Sequence, residues 1–245
     1  MRVSLSRRAG AEAIGTALLV LAVVGSGISA ARLSPHDVGL QLLENAAATG
    51  VALVAIILAL GPVSGAHLNP IVTAVDVALG GLTAAEGWVY AAAQVAGDAI
   101  GAVLANLMFS LPAIELSTKH RSGGGVLLGE AVATFGLVLV IFGLVRSGRA
   151  SAVAFAVGAY IAGAYFFTSS TSFANPAVAI ARSLSDTFAG IDPSSVPGFL
   201  LMELVGGGLG FVAVRLLYPS RPPGRVAAQG KEAGDRQGSR EGWDR

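Results

Sequence analysis

Two Asn-Pro pairs, each at the start of a short apolar segment, carry the strongest chemical signal in this 245-residue sequence. Asn69-Pro70 lies in "SGAHLNPIVT" and Asn175-Pro176 lies in "TSFANPAVAIAR". An asparagine oxygen accepts from the unpaired N–H groups at a helix start, and proline suits the first helical position. Each pair therefore predicts a capped helix whose asparagine NH2 group is free to donate into a lumen. One such pair is typical of an ordinary helix cap, so the prediction depends on the two together.

The composition places both pairs in a membrane protein. Hydrophobic residues make up 53% of the chain and charged residues 13%, whereas a soluble domain carries about 25% charged residues. A membrane-spanning helix needs about 20 apolar residues. Six segments qualify, namely residues 10–30, 40–61, 84–110, 125–146, 150–169 and 197–218. The two Asn-Pro segments, residues 69–79 and 175–185, are too short to cross, and we interpret them as half-helices.

The two halves of the chain resemble each other. The segment "AEAIGTALLVLAVVGSG" aligns with "GEAVATFGLVLVIFGLV", which pairs Glu12 with Glu130. The repeat also pairs two tripeptides that we assign to the pore midplane: Asn69, Pro70, Ile71 and Asn175, Pro176, Ala177. Because each half has three spans, the second half crosses the membrane in the opposite direction. We therefore expect the half-helix starts to meet near the midplane, where their positive dipole ends repel cations and protons.

These features predict an all-α membrane protein with six transmembrane helices, two re-entrant half-helices and an inverted repeat. The predicted divisions are a cytoplasmic N-terminus (1–9), a first repeat (10–113), an extracytoplasmic loop (114–124), a second repeat (125–218) and a disordered cytoplasmic tail (219–245). Basic residues concentrate on the side of the two termini, and the positive-inside rule makes that side cytoplasmic. We expect a multi-pass protein of the cell (inner) membrane.

The two Asn-Pro motifs resemble the pore motifs of the aquaporin/aquaglyceroporin (major intrinsic protein) family, over about residues 8–218. The resemblance implies an aquaporin-like bundle, a homotetramer with one pore per subunit, and passive transport of small neutral solutes. It assigns Glu12 and Glu130 to hydrogen bonds that support the re-entrant loops. It also matches His67 to a histidine of the first motif, which we interpret as either a packing residue near the cytoplasmic mouth or a gate.

In most of that family an arginine of the outer selectivity filter follows the second Asn-Pro-Ala, and here this residue is Val178. Counted as in the family, the filter is Thr49, Gly163, Ser172 and Val178. None of the four is aromatic or charged. We therefore expect a wide filter that admits solutes larger than water and excludes protons weakly. Arg182 lies one turn further along, and we favour its pairing with Asp186 or reaching the headgroups over a place in the outer vestibule.

The stretch "NPAVAIARSLSDTFAGI" resembles a bacterial aquaglyceroporin branch associated with arsenic-resistance operons, in which valine replaces the filter arginine. That resemblance implies arsenite and methylated arsenicals as solutes, beside glycerol-like polyols and water. The chain has no cysteine. An arsenical must therefore pass as a neutral hydroxide and not as a thiolate adduct.

A secondary transporter built from inverted repeats stays open as the alternative. Its candidate coupling carboxylates are Glu12, Asp98, Glu130 and Glu203. We interpret Asp98 as a polar contact within the bundle, and Gly97 and Gly101 as a small-residue pattern that allows close helix packing. We expect no enzyme activity, no cofactor, no metal and no nucleic-acid partner. The chain shows no catalytic motif, no metal-ligand spacing and no basic stripe.

Overall fold

The computed structural model describes residues 3–218, which form eight α-helices and, within that range, no strand. The helices are α1 (Leu5–Leu33), α2 (Val38–Ser64), α3 (Pro70–Ala78), α4 (Ala84–Met108), α5 (Gly124–Arg146), α6 (Val153–Phe167), α7 (Pro176–Arg182) and α8 (Val196–Leu217). Short 3-10 turns precede α6 and α8 at Ala150–Ala152 and Pro193–Ser195. Six helical segments are long and apolar enough to cross a membrane. The predicted all-α class, with six spans and two half-helices, is confirmed.

The ends of some elements differ from the sequence-based bounds. Helix α1 begins at Leu5, inside the segment assigned to the N-terminus. Helix α7 ends at Arg182, before the predicted end at residue 185, and beyond it the N–H groups of Ser183 and Leu184 bond to carbonyls three residues back and not four. The tail that we predict to be disordered, residues 219–245, lies outside the described residues.

The two repeats pack in the same way. Helix α1 packs against α2 and α4, while α5 packs against α6 and α8, and the α2–α6 contact joins the repeats. A Cβ atom on Gly97 would lie 2.2 Å from the carbonyl oxygen of Ala13, and one on Gly206 would lie 2.3 Å from that of Ala131. A Cβ atom on Gly101 would likewise lie 2.3 Å from a carbonyl oxygen of α1. The predicted close approach of backbones at Gly97 and Gly101 is therefore present, and the second repeat contains its equivalent.

We expect Gly206→Val to destabilise the fold strongly, while Gly208→Val, in the same helix, leaves stability nearly unchanged. The valine at 206 would push against the backbone of α5, and overpacking of this kind costs about 1–3 kcal/mol or more. Gly208 is exposed, and an added Cβ atom there meets nothing within 4 Å. The measurement is the thermal unfolding midpoint in detergent. Equal midpoints for the two variants would contradict the close α5–α8 contact.

Candidate functional site

The starts of the two half-helices face each other at the centre of the molecule. Each asparagine caps its own helix, because its Oδ1 atom accepts from the N–H group two residues on, at 2.8 Å in α3 and 3.1 Å in α7. The Nδ2 atom of Asn69 donates to the carbonyl of Ala174 at 2.7 Å, and that of Asn175 donates to the carbonyl of Leu68 at 2.7 Å. Each NH2 group thus ties its half-helix to the opposite loop with one hydrogen and keeps the second hydrogen for a solute.

Two fully buried glutamates hold the loops that lead into the half-helices. Glu12 accepts the backbone N–H groups of His67 and Leu68 at 3.0 and 2.7 Å. Glu130 accepts those of the equivalent pair before Asn175 at 2.9 and 2.8 Å. Irregular backbone at membrane depth is tolerated only where its polar groups find partners. These carboxylates therefore allow two non-helical loops to exist inside the bundle.

The same contacts aim carbonyl groups at the space between the repeats. The loops adopt left-handed backbone conformations at Ala66, Leu68, Ser172 and Ala174, with φ between 47° and 52°. In a trans peptide the C=O group points away from the following N–H group. Because those N–H groups point at the glutamates, the preceding carbonyls point the other way. They belong to Ala66, His67, Ser172 and Phe173, which all line the central cavity. The result is a ladder of hydrogen-bond acceptors.

The central cavity has a volume of about 530 Å³ and runs past both asparagines. One end, which we call the His67 end, is lined by Gly61, His67, Asp76 and Ser151. The other, which we call the Arg182 end, is lined by Thr49, Tyr165, Ser172, Val178 and Arg182. Opposite the carbonyl ladder the wall is apolar, with Leu53, Ile57, Leu137, Ile141, Val157 and Ile161. The cavity therefore presents acceptors on one side and hydrocarbon on the other.

Of the six residues assigned to the midplane, only Asn69 and Asn175 line the cavity. Pro70 and Pro176 are the half-buried first residues of the half-helices, and Ala177 after Pro176 is fully buried. Ile71 also packs behind the pore, because a Cβ atom on Gly207 of α8 would lie 2.4 Å from its Cγ2 atom. The missing side chain of Gly207 therefore makes room for the larger residue in the first motif.

The structure places three of the four predicted filter residues at the cavity and the fourth away from it. Thr49, Ser172 and Val178 line the cavity, but Gly163 is exposed on the outside of α6. At the level of Thr49, the residue of α6 that lines the cavity is Tyr165, whose hydroxyl lies 3.3 Å from Oγ1 of Thr49. Successive residues of a helix are 100° apart, so a shift of two residues moves a side chain to nearly the opposite face. This end of the cavity therefore contains an aromatic side chain, which the sequence-based assignment did not place there.

The interpretation of Arg182 is also wrong. Asp186 accepts from the backbone N–H group of Thr118 at 2.9 Å and not from Arg182. Arg182 is buried in the wall of the cavity, where its Nε atom donates to the carbonyl of Ala189. Its guanidinium lies over the ring of Phe173, with 3.5 Å between Cζ and the ring centroid. The Arg182 end of the cavity thus carries a charge that the sequence assignment did not give it.

Further basic residues stand near that end, on the loop between α4 and α5. Lys119 donates through Nζ to the carbonyl of Phe188 at 2.7 Å, and Arg121 donates through Nε to that of Gly190 at 2.9 Å. Burial, together with the charges of Arg121 and Arg182, lowers the pKa of Lys119 to about 8. Neither Lys119 nor Arg121 lines the cavity, so both side chains lie behind its wall.

His67 is held in place at the opposite end of the cavity. Its Nδ1 atom lies 3.1 Å from Oγ1 of Thr73, and its Nε2 atom lies 3.9 Å from a carboxylate oxygen of Asp76. Its ring packs edge-on against Tyr90 at 5.4 Å between centroids. These contacts pack His67 against its neighbours, and its ring also forms part of the cavity wall.

The comparisons with known proteins agree with this geometry. The sequence matches the family model "Major intrinsic protein" over residues 1–152. It is 51% identical over 219 residues to aquaglyceroporin AqpS of Rhizobium meliloti, which covers 89% of this chain and 93% of that protein. It is 31% identical over 242 residues to aquaporin Z of Bradyrhizobium diazoefficiens, which covers 93% of this chain and 99% of that protein.

A solved structure shares the fold. The X-ray structure of the aquaglyceroporin from Plasmodium falciparum matches with a TM-score of 0.64 at 22% identity, over 88% of this chain and 96% of that one. Six apolar helices, paired half-helices and the sequence matches lead to the same conclusion. The chain belongs to the major intrinsic protein family, whose members are membrane channels and not enzymes.

Proposed function

We propose that the cavity is the pathway of a passive channel for glycerol-like polyols, neutral arsenicals and water. The observation that carries the proposal is the two-sided lining, with the asparagines and the carbonyl ladder on one side and an apolar wall on the other. A polyol has hydroxyl groups along one edge and CH groups along the other, so it can exchange water for the ladder while its carbon side contacts hydrocarbon. Selectivity in such pores comes from diameter, lining donors and acceptors, and charge.

Neutral arsenicals are proposed on the same grounds. Arsenous acid carries three hydroxyl groups and is uncharged, so the acceptors that suit a polyol also suit it. Val178 stands where an arginine would narrow the lumen, which supports passage of methylated species larger than water. The chain has no cysteine, so no thiol along the pathway would retain trivalent arsenic.

The surroundings of the channel are part of the proposal. Large apolar side chains are exposed on the outside of the bundle, among them Val51, Trp88, Leu128, Phe166 and Leu201. Such a surface needs a bilayer or other subunits to cover it. We propose an inner-membrane homotetramer with one pore per subunit and with both termini in the cytoplasm.

The test is a panel of solutes in proteoliposomes. We expect fluxes of water, glycerol, urea and arsenous acid that exceed those of empty vesicles and rise linearly with the gradient. Val178→Arg is measured in parallel. A flux that saturates, or that requires an ion gradient, would refute a passive channel and favour a secondary transporter.

Of the four candidate coupling carboxylates, Asp98 has the fewest hydrogen-bond partners among the described residues. Glu12 and Glu130 hold the loops, and Glu203 accepts the backbone N–H group of Asn175 at 3.0 Å. Asp98 is fully buried in α4, and neither of its carboxylate oxygens has a hydrogen-bond partner among residues 3–218. The expected polar contact within the bundle is therefore absent from the described part of the chain.

We expect Asp98→Asn to leave all solute fluxes unchanged and to keep or raise the free energy of unfolding. A buried carboxylate without partners destabilises the fold, and replacing it with a neutral group recovers up to about 1–3 kcal/mol. Flux assays test the first expectation, and thermal unfolding of the same preparation tests the second. Loss of transport with normal folding would instead identify Asp98 as a coupling group.

A further inference from the structure

Arg182 carries an unbalanced charge at the filter end of the pathway. Its side chain is 2% exposed, and no carboxylate lies within 4.0 Å of its guanidinium among the described residues. An arginine keeps its charge even where it is buried. Its Nε atom is occupied by the carbonyl of Ala189. Its two terminal nitrogens make no hydrogen bond to residues 3–218 and are not sealed off, so their N–H groups are free for water or a solute in the cavity.

The side chain also points towards the filter. Side chains of a helix lean towards its N-terminus, so a long residue covers the turn before its own position. Four residues separate Val178 from Arg182, which is about 6 Å along a helix. The guanidinium rests on Phe173, a residue of the loop that precedes the half-helix. The charged head therefore extends back towards the level of Val178, at the end of the cavity that Thr49 and Tyr165 share.

We infer that Arg182 supplies the positive charge and the hydrogen-bond donors of the selectivity filter, from one helical turn beyond the position where its family carries them. Val178 leaves the lumen wide at its own level, and the charge of Arg182 repels cations one helical turn further along. The filter thus admits larger neutral solutes without losing its barrier to cations. This inference rests on the proposal that the cavity conducts.

A purely structural role makes a different prediction, and Arg121 separates the two. Arg121 also donates to a carbonyl of the 183–195 segment and also stacks on Phe173, at 5.0 Å from the ring centroid. It does not line the cavity. If Arg182 only braced the loop, Arg182→Gln and Arg121→Gln would have similar effects. If Arg182 acts on the solute pathway, only Arg182→Gln changes charge selectivity.

The experiment measures proton and potassium leak together with glycerol flux in the same proteoliposomes. We expect Arg182→Gln to raise the cation leak about tenfold, because a charge that lines a narrow cleft changes local ion concentration by at least that factor. We expect Arg182→Gln still to conduct glycerol, at a changed rate because the donors of the guanidinium are lost from the cavity wall, and Arg121→Gln to behave as native. A cation leak of Arg182→Gln at the native level would overturn the inference, as would an equal leak in Arg121→Gln.

Arg182→Lys decides the matter if the glutamine variant does not fold. Lysine keeps the charge and loses the planar fork of donors, so we expect native cation exclusion with an altered ratio of glycerol to water flux. A tenfold cation leak in the lysine variant would overturn the inference. Failure of the native channel to conduct any neutral solute would refute the proposed function instead, so the two failures are distinguishable.

Discussion

Glu12→Gln is expected to abolish solute flux and to destabilise the protein strongly, although the side chain keeps its size. The carboxylate of Glu12 accepts four hydrogen bonds, which come from the hydroxyl of Ser64, the backbone N–H groups of His67 and Leu68, and the amide of Gln94. A glutamine replaces one acceptor oxygen with an NH2 group that faces donors. At least one buried N–H group then loses its partner, at about 1–3 kcal/mol for each such group.

The loop around His67 positions the start of α3. When the loop loses its hydrogen bonds to Glu12, Asn69 is displaced from the lumen. The measurements are the thermal unfolding midpoint and the flux of water and glycerol in proteoliposomes. Glu115→Gln is the matched control, because Glu115 is exposed on the loop between α4 and α5. Native flux of both solutes through Glu12→Gln would show that the carboxylate is not needed to hold the loop.

The features that sequence alone predicted are those set by local physics. Segment length and hydropathy determine which helices cross a bilayer, and an Asn-Pro start determines its own cap within three residues. The pairing of Glu12 with Glu130 followed from matching two short segments. Both asparagines reach the cavity as expected, because each lies next to the helix start that it caps.

The errors arose where the answer depends on how distant elements rotate against each other. The assignment of Gly163 relied on a fixed count back from Asn175, across a loop whose path decides which face of α6 meets the cavity. Arg182 was misjudged because its partner Phe173 lies in the loop before the half-helix, and no local spacing predicts that a side chain folds back onto it. An α-helical count from Ile161 would have indicated Tyr165, since the two lie four residues apart and both line the cavity.

The packing of Ile71 shows another feature that the sequence alone does not predict. Its size is accommodated by Gly207 of α8, and the repeat relation of Gly97 to Gly206 makes Asp98 the equivalent of Gly207. The first motif thus sets a large residue against a glycine, and by the same repeat relation the second motif has the smaller Ala177 where α4 has Asp98. Such an exchange of volumes is visible only when the helices that face the half-helices are aligned through their contacts.

Val178→Arg is expected to reduce glycerol flux about tenfold, which corresponds to about 1.4 kcal/mol of added barrier. The new guanidinium would enter the lumen beside Tyr165 and Thr49, one turn below Arg182. Its bulk narrows the passage, and its charge adds to that of Arg182. We therefore expect the fluxes of polyols and arsenous acid to fall more than the flux of water. Proton permeability is expected to fall below the native value as well, because two successive charges then face a proton.

Val178→Met separates size from charge, since methionine is long and unbranched but carries no donors. We expect it to lower glycerol flux to a smaller extent and to leave proton permeability at the native level. Native glycerol flux through Val178→Arg would show that this position does not lie at the constriction. Equal proton permeability of the native channel and Val178→Arg would contradict the view that valine at this position weakens proton exclusion. Comparing the glycerol flux and the proton permeability of Val178→Met with those of Val178→Arg therefore shows how much of the selectivity at this level is steric and how much is electrostatic.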